Sequence, residues 1–134
     1  MKYKVMNFSK LFSLLLCISL LFSCSDSDDL TQEQEAERLS ELFTEIENLA
    51  SSVDCEDSSN WTFTPYGSKT CGGPVGFIAY STVIDTRDFL NKIEEHRTQQ
   101  ENFNRKWGVF SDCSVPPQPK GIRCEEGKPV FEYE

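Results

Sequence analysis

The chain has 134 residues, of which 22 are acidic and 13 are lysine or arginine, and its formal net charge is −9 at pH 7. A chain of this length predicts one domain, small enough that burial of apolar surface alone gives only marginal stability. So acidic a protein repels phosphate backbones, and no nucleic-acid partner is expected.

The first 23 residues have the pattern of a secretory signal peptide. Three lysines, Lys2, Lys4 and Lys10, form a basic start without any acid, and residues 11–22 then run without a charge. A membrane-spanning helix needs about 20 apolar residues, so this run is too short to predict one. We therefore expect export of the chain and removal of residues 1–23.

The apolar run ends in Leu21-Phe22-Ser23-Cys24, which resembles the bacterial lipobox. Phe22 is larger than the residue usual at its position, and the match departs from the pattern there. The resemblance implies cleavage before Cys24 and a lipid on Cys24 that holds the protein to a membrane. Two or three acyl chains, at about 0.8 kcal/mol per buried CH₂, would make the anchoring stable. A plain signal peptide with an incidental cysteine is the alternative.

Residues 24–30 predict an acidic, flexible tether, because the tract Ser25-Asp26-Ser27-Asp28-Asp29 has no apolar side chain to bury. The tract also resembles the acidic export signal of Bacteroidota lipoproteins. That resemblance implies a position on the outer face of the outer membrane, with the periplasmic face as the alternative. Removal of residues 1–23 takes away three lysines and no acid, so the net charge moves from −9 to −12.

Residues 31–53 predict the first helix, because apolar side chains recur at spacings of three and four. Thr31 followed by Gln34 forms a possible capping box. The apolar stripe is expected to pack on the domain's own sheet, and contact with a partner protein is the alternative. The stripe consists of Leu39, Leu42, Phe43, Ile46, Leu49, Ala50 and Val53.

Residues 60–84 predict two strands that could pair as a hairpin with a long loop. Residues 61–66 alternate aromatic and hydroxyl side chains, and Pro65 limits this strand to an edge or an end. Residues 76–84 form a β-branched and aromatic run suited to a buried strand. The aromatic residues could fill the core or, as the alternative, line a carbohydrate-binding face; they are Trp61, Tyr66, Phe77 and Tyr80.

Residues 85–107 predict a second helix, capped by Asp85 and stopped by Gly108, that lies across a sheet. Residues 109–134 then predict a C-terminal hairpin that turns around residues 125–128. The order of helices and strands predicts an α+β fold with a small antiparallel sheet and two amphipathic helices.

Four cysteines remain if Cys24 carries lipid: Cys55, Cys71, Cys113 and Cys124. In an exported protein this even set predicts two disulfides that hold a small domain together. A four-cysteine zinc site is the alternative, but gaps of 15, 41 and 10 residues do not resemble its closely spaced pairs. Three pairings are possible, and we favour neighbours in sequence because each would close a short loop.

The run Lys69-Thr70-Cys71-Gly72-Gly73-Pro74 is the most distinctive local string. A glycine pair between a cysteine and a proline permits positive φ, which serves a tight turn or an exposed recognition loop. It lacks the spacing of a phosphate-binding loop. Lys69, Gly72, Gly73 and Pro74 are the candidate binding residues, and a purely structural turn is the alternative.

His96 is the only histidine, so a Ser-His-Asp or Cys-His arrangement would have to use it. Its position on a helix face, seven residues after Phe89, favours a place at the edge of the core. No catalytic residue, metal ligand or cofactor motif is identified, and the protein is not expected to be an enzyme. A small hydrolase that uses His96 or an acidic pair is the least favoured alternative.

The pattern of the mature part, from a tryptophan through the Cys-Gly-Gly-Pro turn to the closing hairpin, is similar to that of small Bacteroidota lipoproteins. The resemblance supports the location and the disulfides and implies no mechanism. We therefore expect a lipid-anchored, non-enzymatic module that binds a protein or a glycan, in the manner of an inhibitor. An envelope protein whose partner meets residues 31–53 is the alternative.

Overall fold

The computed structural model describes residues 30–134. Two helices and two antiparallel hairpins alternate along this part of the chain, and they confirm the expected α+β class with two disulfides. The predicted signal peptide, the predicted lipid site Cys24 and residues 24–29 of the predicted tether lie outside the described residues. In chain order the elements are α1 Gln32–Ala50, β1 Trp61–Tyr66, β2 Gly76–Ser81, α2 Thr86–Trp107, β3 Gly121–Glu125 and β4 Lys128–Glu132, with a short 3-10 helix Ser58–Asn60 before β1.

Helix α1 begins with the expected capping box and ends earlier than predicted. The hydroxyl of Thr31 accepts a bond from the backbone N–H of Gln34, whose side chain accepts one from the N–H of Thr31. The helix stops at Ala50 rather than at residue 53. Ser51 and Ser52 donate their hydroxyls to carbonyls of the last turn, at 2.8 and 2.7 Å, which favours a helix end over another turn.

Helix α2 matches its predicted start and stop. The carboxylate of Asp85 accepts the N–H of Asp88 at 3.0 Å, and Gly108 takes a left-handed conformation with φ of +62°. The helix packs along α1 and also contacts the first hairpin, at β1 and through the rings of Phe89 and Tyr80, so it lies beside α1 on one face of that sheet. The two helices run antiparallel, because Glu35 meets Lys106 whereas Glu45 meets Lys92.

The core lies between the two helices and one face of the first hairpin. Ile46 and Phe89 have no exposed surface, and Tyr80 stacks on Phe89 with ring centroids 4.6 Å apart. Leu42, Phe43 and Leu49 pack against the same cluster. The stripe on α1 therefore belongs to the domain's own core. In the alternative in which a partner protein meets residues 31–53, the apolar side chains that would contact it already contact the domain's own core.

The second hairpin covers the opposite face of the first. The ring of Phe63 makes edge contacts with Phe77 and with Phe131 of β4, at centroid distances of 5.9 and 6.0 Å. The expected single sheet is thus two sheets of two strands each, β1–β2 and β3–β4. The four aromatic residues of the glycan alternative do not share a face, because Tyr66 and Tyr80 pack toward the helices while Phe77 lies on the other side.

The disulfides join Cys55 to Cys124 and Cys71 to Cys113, so the favoured pairing of neighbours was wrong. The second hairpin folds back over the first and brings Cys124 beside Cys55, whose N–H donates to Gly127 O at 2.8 Å. The sulfurs form two separate pairs and not the single cluster that a four-cysteine zinc site needs. The bridges span 69 and 42 residues. Loop closures of that size stabilise a fold by about 4 kcal/mol each.

Candidate functional site

The Gly-Gly run lies in a short, internally bonded loop between β1 and β2. The N–H of Val75 donates to Tyr66 O, and the N–H of Lys69 donates to Gly73 O at 3.0 Å. Gly72 and Gly73 have φ of +90° and +83°, which side chains other than hydrogen disfavour. Both glycines are exposed, and no atom lies within 4 Å of the position of a Cβ on either. The loop therefore presents bare backbone to the outside.

A disulfide, an ion pair and several hydrogen bonds fasten this loop to the segment that follows α2. The disulfide Cys71–Cys113 is the covalent one, with the two Cα atoms 5.7 Å apart. Lys69 Nζ donates to Asp112 Oδ1 at 2.7 Å and to the carbonyl of Ser114 at 2.8 Å. The side chain of Lys69 is only 11% exposed. Lys69 thus holds the loop in place and is not free to meet a ligand, as its candidate binding role would require.

Hydrogen bonds from Thr70 and the ionised carboxylate of Asp112 also hold the loop to the segment that follows α2. Thr70 Oγ1 donates to Val109 O at 2.6 Å, and the N–H of Thr70 donates to Ser111 Oγ at 3.1 Å. The pKa of Asp112 is lowered, mainly because Lys69 donates a hydrogen bond to it and also because Ser114 does. The carboxylate therefore stays charged at neutral pH and keeps the ion pair intact. We call residues 67–75 together with residues 109–115 the loop surface.

Helix α2 supports the loop from below. The N–H of Ser68 donates to Gln100 Oε1 and the amide of Asn104 donates to Ser68 O, both at 2.8 Å. Asn104 is buried, and so is Gly67. A Cβ at Gly67 would lie 2.7 Å from the oxygen of Gln100, so only glycine fits there. The loop is thus held by α2 and by the segment that follows α2.

A polar cleft of about 390 Å³ separates the loop from α2. Its cations already have carboxylate partners: Arg97 bonds Glu94 at 2.6 Å, and Arg105 bonds Glu101 at 3.1 Å. The pKa of Arg97 is raised by the hydrogen bond to Glu94. Because the charges balance, the cleft has no net attraction for a phosphate or a carboxylate. It is lined by Ser68, Lys69, Thr70, Gly72, Gly73, Arg97, Glu101, Asn104 and Arg105.

Two apolar side chains stand out on the loop surface. Phe110 is 99% exposed and Val115 is 86% exposed, and they flank Cys113 of the disulfide. Covering an exposed phenylalanine ring with another apolar surface removes that area from water and is favourable. Sequence reasoning missed both residues, because an apolar residue in a linker gives no sign of whether it packs inward or outward.

Of the other residues singled out in the sequence, some are buried within the domain and some are exposed to solvent. Pro74 is partly buried beside Gly67 and Arg97, whereas Gly72 and Gly73 remain accessible. His96 is buried against the ring of Phe43 and does not line the cleft. Among residues 30–134 no group of three or more His, Cys, Asp and Glu side chains is arranged to hold a metal ion. Within the same range no helix has the length and apolar character needed to cross a membrane.

A comparison of the chain with protein-family models, with curated proteins and with solved structures finds no match.

Proposed function

We propose that this protein is a lipid-anchored, non-enzymatic binding module of the bacterial cell envelope and that its loop surface recognises a protein. One observation carries the proposal: Phe110 and Val115 are almost fully exposed on a segment that a disulfide and a buried lysine hold in place. Large apolar side chains that enter a pocket of the partner supply most of the binding energy in many protein interfaces.

Rigidity is the second support for a recognition role. A loop that is ordered before binding loses little conformational entropy when the partner arrives. Here the disulfide, the Lys69–Asp112 ion pair and the bonds from Gln100 and Asn104 fix the loop in advance. Small secreted protease inhibitors present loops pinned by disulfides in the same way, so inhibition of a protease is one form of the proposed function.

A protein fits the loop surface better than a glycan does. Sugars bind by stacking on aromatic faces combined with convergent polar groups; Phe110 supplies an aromatic face, but Val115 beside it in the segment is aliphatic. Lys69 and the arginines of the cleft are already paired with carboxylates. The apolar pair therefore favours a partner with an apolar pocket, and glycan binding is the outcome that would contradict this choice.

Substitution of the two apolar residues tests the proposal. Full-length proteins with the single substitutions Phe110→Asp and Val115→Asp should each lose at least tenfold in affinity for the protein that the wild type retains from detergent-solubilised envelopes, because a buried aspartate lacks its hydration. Val83→Asp is the matched control, since Val83 is 66% exposed and lies elsewhere, beside Asp54 and Trp61. Equal retention by all three variants would rule out the loop surface as the binding site.

The anchor is tested separately by intact mass. Protein extracted from membranes should carry a diacyl or triacyl increment on a chain that begins at Cys24, and Cys24→Ser should abolish both the increment and the membrane association. Proteolysis of whole cells should remove the domain if it lies on the outer face of the outer membrane. An unmodified mass would refute the anchor without touching the binding proposal.

The alternative role, in which α1 meets an envelope partner, makes a different prediction. Charge at Leu42 or Ile46 would abolish the association and leave the domain folded. Ile46 is fully buried, so we expect Ile46→Asp to unfold the domain instead. Far-UV circular dichroism of that variant separates the two roles.

A further inference from the structure

The first turn of α1 and the last turn of α2 lie at the same end of the domain. Glu35 in the first turn of α1 accepts a bond from Lys106 Nζ at 2.6 Å and one from the indole of Trp107 at 2.8 Å. Both partners belong to the final turn of α2. Leu30, which continues toward Cys24, therefore leaves the domain at the end where α2 stops. We call this end the anchor end.

The loop surface lies at the anchor end as well. Phe110 comes three residues after Trp107, and the N–H of Val109 folds back onto Asn104 O at 3.1 Å. Thr70 of the loop donates a hydrogen bond to Val109 O, so the loop also lies at the anchor end. The other end of the domain, about 28 Å away along the 19 residues of α1, holds the Cys55–Cys124 disulfide.

A lipid on Cys24 would keep the anchor end close to the bilayer. Leu30 comes six positions after Cys24, and a fully extended chain over that interval reaches only about 20 Å. A partner that covers Phe110 must then lie within a similar distance of the lipid surface. Large soluble proteins have little room to approach that side of the domain.

Resting on the proposed function, we infer that the partner of the loop surface is a protein embedded in the same membrane as the anchor. The loop surface would meet the part of that protein that projects from the bilayer. The lipid surface itself is a poorer occupant, because Asp112 and Glu101 border the loop surface and three further aspartates precede Leu30. Anionic headgroups would repel these carboxylates, and insertion would strip them of water.

Photo-crosslinking from position 110 in intact cells tests the inference. Full-length protein carrying Phe110→p-benzoylphenylalanine is irradiated, and each crosslinked protein is identified by mass spectrometry. Membranes that were not irradiated are then washed with alkaline carbonate to show whether that protein by itself stays in the bilayer. Val83→p-benzoylphenylalanine is the matched control, because Val83 is an exposed apolar residue on the part of the surface that includes Asp54 and Trp61. Position 110 should yield an adduct with a protein that by itself resists the carbonate wash, and position 83 should not. An adduct with a protein that the wash removes would refute the membrane-embedded partner.

Two spacers inserted between Asp29 and Leu30 then measure the dependence on distance. Twenty residues of a rigid helical repeat lift the domain by about 30 Å and should lower the adduct yield at least fivefold. Twenty Gly and Ser residues, with a root-mean-square span of about 25 Å, still let the domain return to the surface and should retain most of the adduct.

Each remaining outcome counts against a specific statement. An adduct whose yield is the same with both spacers would refute a membrane-embedded partner and leave protein binding intact. An adduct with lipid or lipopolysaccharide alone would refute both the inference and the protein partner. Absence of any adduct at position 110, in protein whose mass shows the lipid, would refute the proposed binding function itself.

Discussion

The imidazole of His96 packs against the ring of Phe43 with the two centroids 5.2 Å apart. His96 is buried, and its Nδ1 has no hydrogen-bond partner within the described chain. The only histidine thus joins the two helices through packing. A buried nitrogen without a partner disfavours the protonated ring, because charge cannot be solvated there.

Stability should therefore fall as the pH drops through the range in which free histidine titrates. Burial lowers the pKa of His96 below its ordinary value of 6.5. The unfolded chain binds a proton near pH 6.5 and the folded chain only at lower pH, so the stabilisation is complete above pH 6.5 and decreases below it. Urea midpoints should fall between pH 7 and pH 5 for the wild type and change less for His96→Leu. The same decrease in both proteins would show that other groups cause it.

The two disulfides should differ in their reactivity. Cys71 and Cys113 are both exposed, whereas Cys55 is only 2% exposed. Thiol attack requires access to a sulfur, so mild reductant should open the Cys71–Cys113 bridge first. Differential alkylation followed by peptide mass analysis measures the order. Release of Cys55 and Cys124 at the same rate would mean that the second hairpin opens readily in the folded protein.

Phe89 should be a principal source of stability in the core. Its side chain is fully buried against Tyr80, and Phe89→Ala would leave a cavity that costs about 3 to 5 kcal/mol. The neighbour Leu90 is 40% exposed, so Leu90→Ala should cost far less and serves as the control. Urea unfolding of both variants provides the comparison. Similar losses would indicate that Leu90, too, has a covering partner.

A substitution in the turn of the C-terminal hairpin should raise the stability of the domain. Glu126 and Gly127 have φ of +50° and +77°, a pair of left-handed residues typical of a type I′ turn. Asparagine adopts this conformation more easily than glutamate, so Glu126→Asn should stabilise the domain by roughly 0.5 to 1 kcal/mol. Glu125→Asn changes a strand residue with ordinary φ and should bring no gain. Thermal melting of the two variants tests the difference.

Local features of the fold were predictable because each depends on a few neighbouring residues. The capping box at Thr31 and Gln34 and the stop at Gly108 follow from backbone groups that must be satisfied within one turn. The amphipathic stripe of α1 was likewise predictable, since a period near 3.6 places Ile46 on one face. The end of α1 was missed because the apolar spacing continues to Val53, whereas the bonds from Ser51 and Ser52 to carbonyls of the last turn cannot be read from that spacing.

The sequence by itself determined the elements, the α+β class and the fact that four cysteines form two bridges, because periodicity, caps and cysteine number are properties of short segments and composition. Only the tertiary structure decided which cysteines pair, since Cys124 reaches Cys55 only after the second hairpin packs on the first. It also decided that Lys69 is buried in an ion pair while Phe110 faces outward. Exposure depends on contacts between segments far apart in the chain, and no local pattern contains that information.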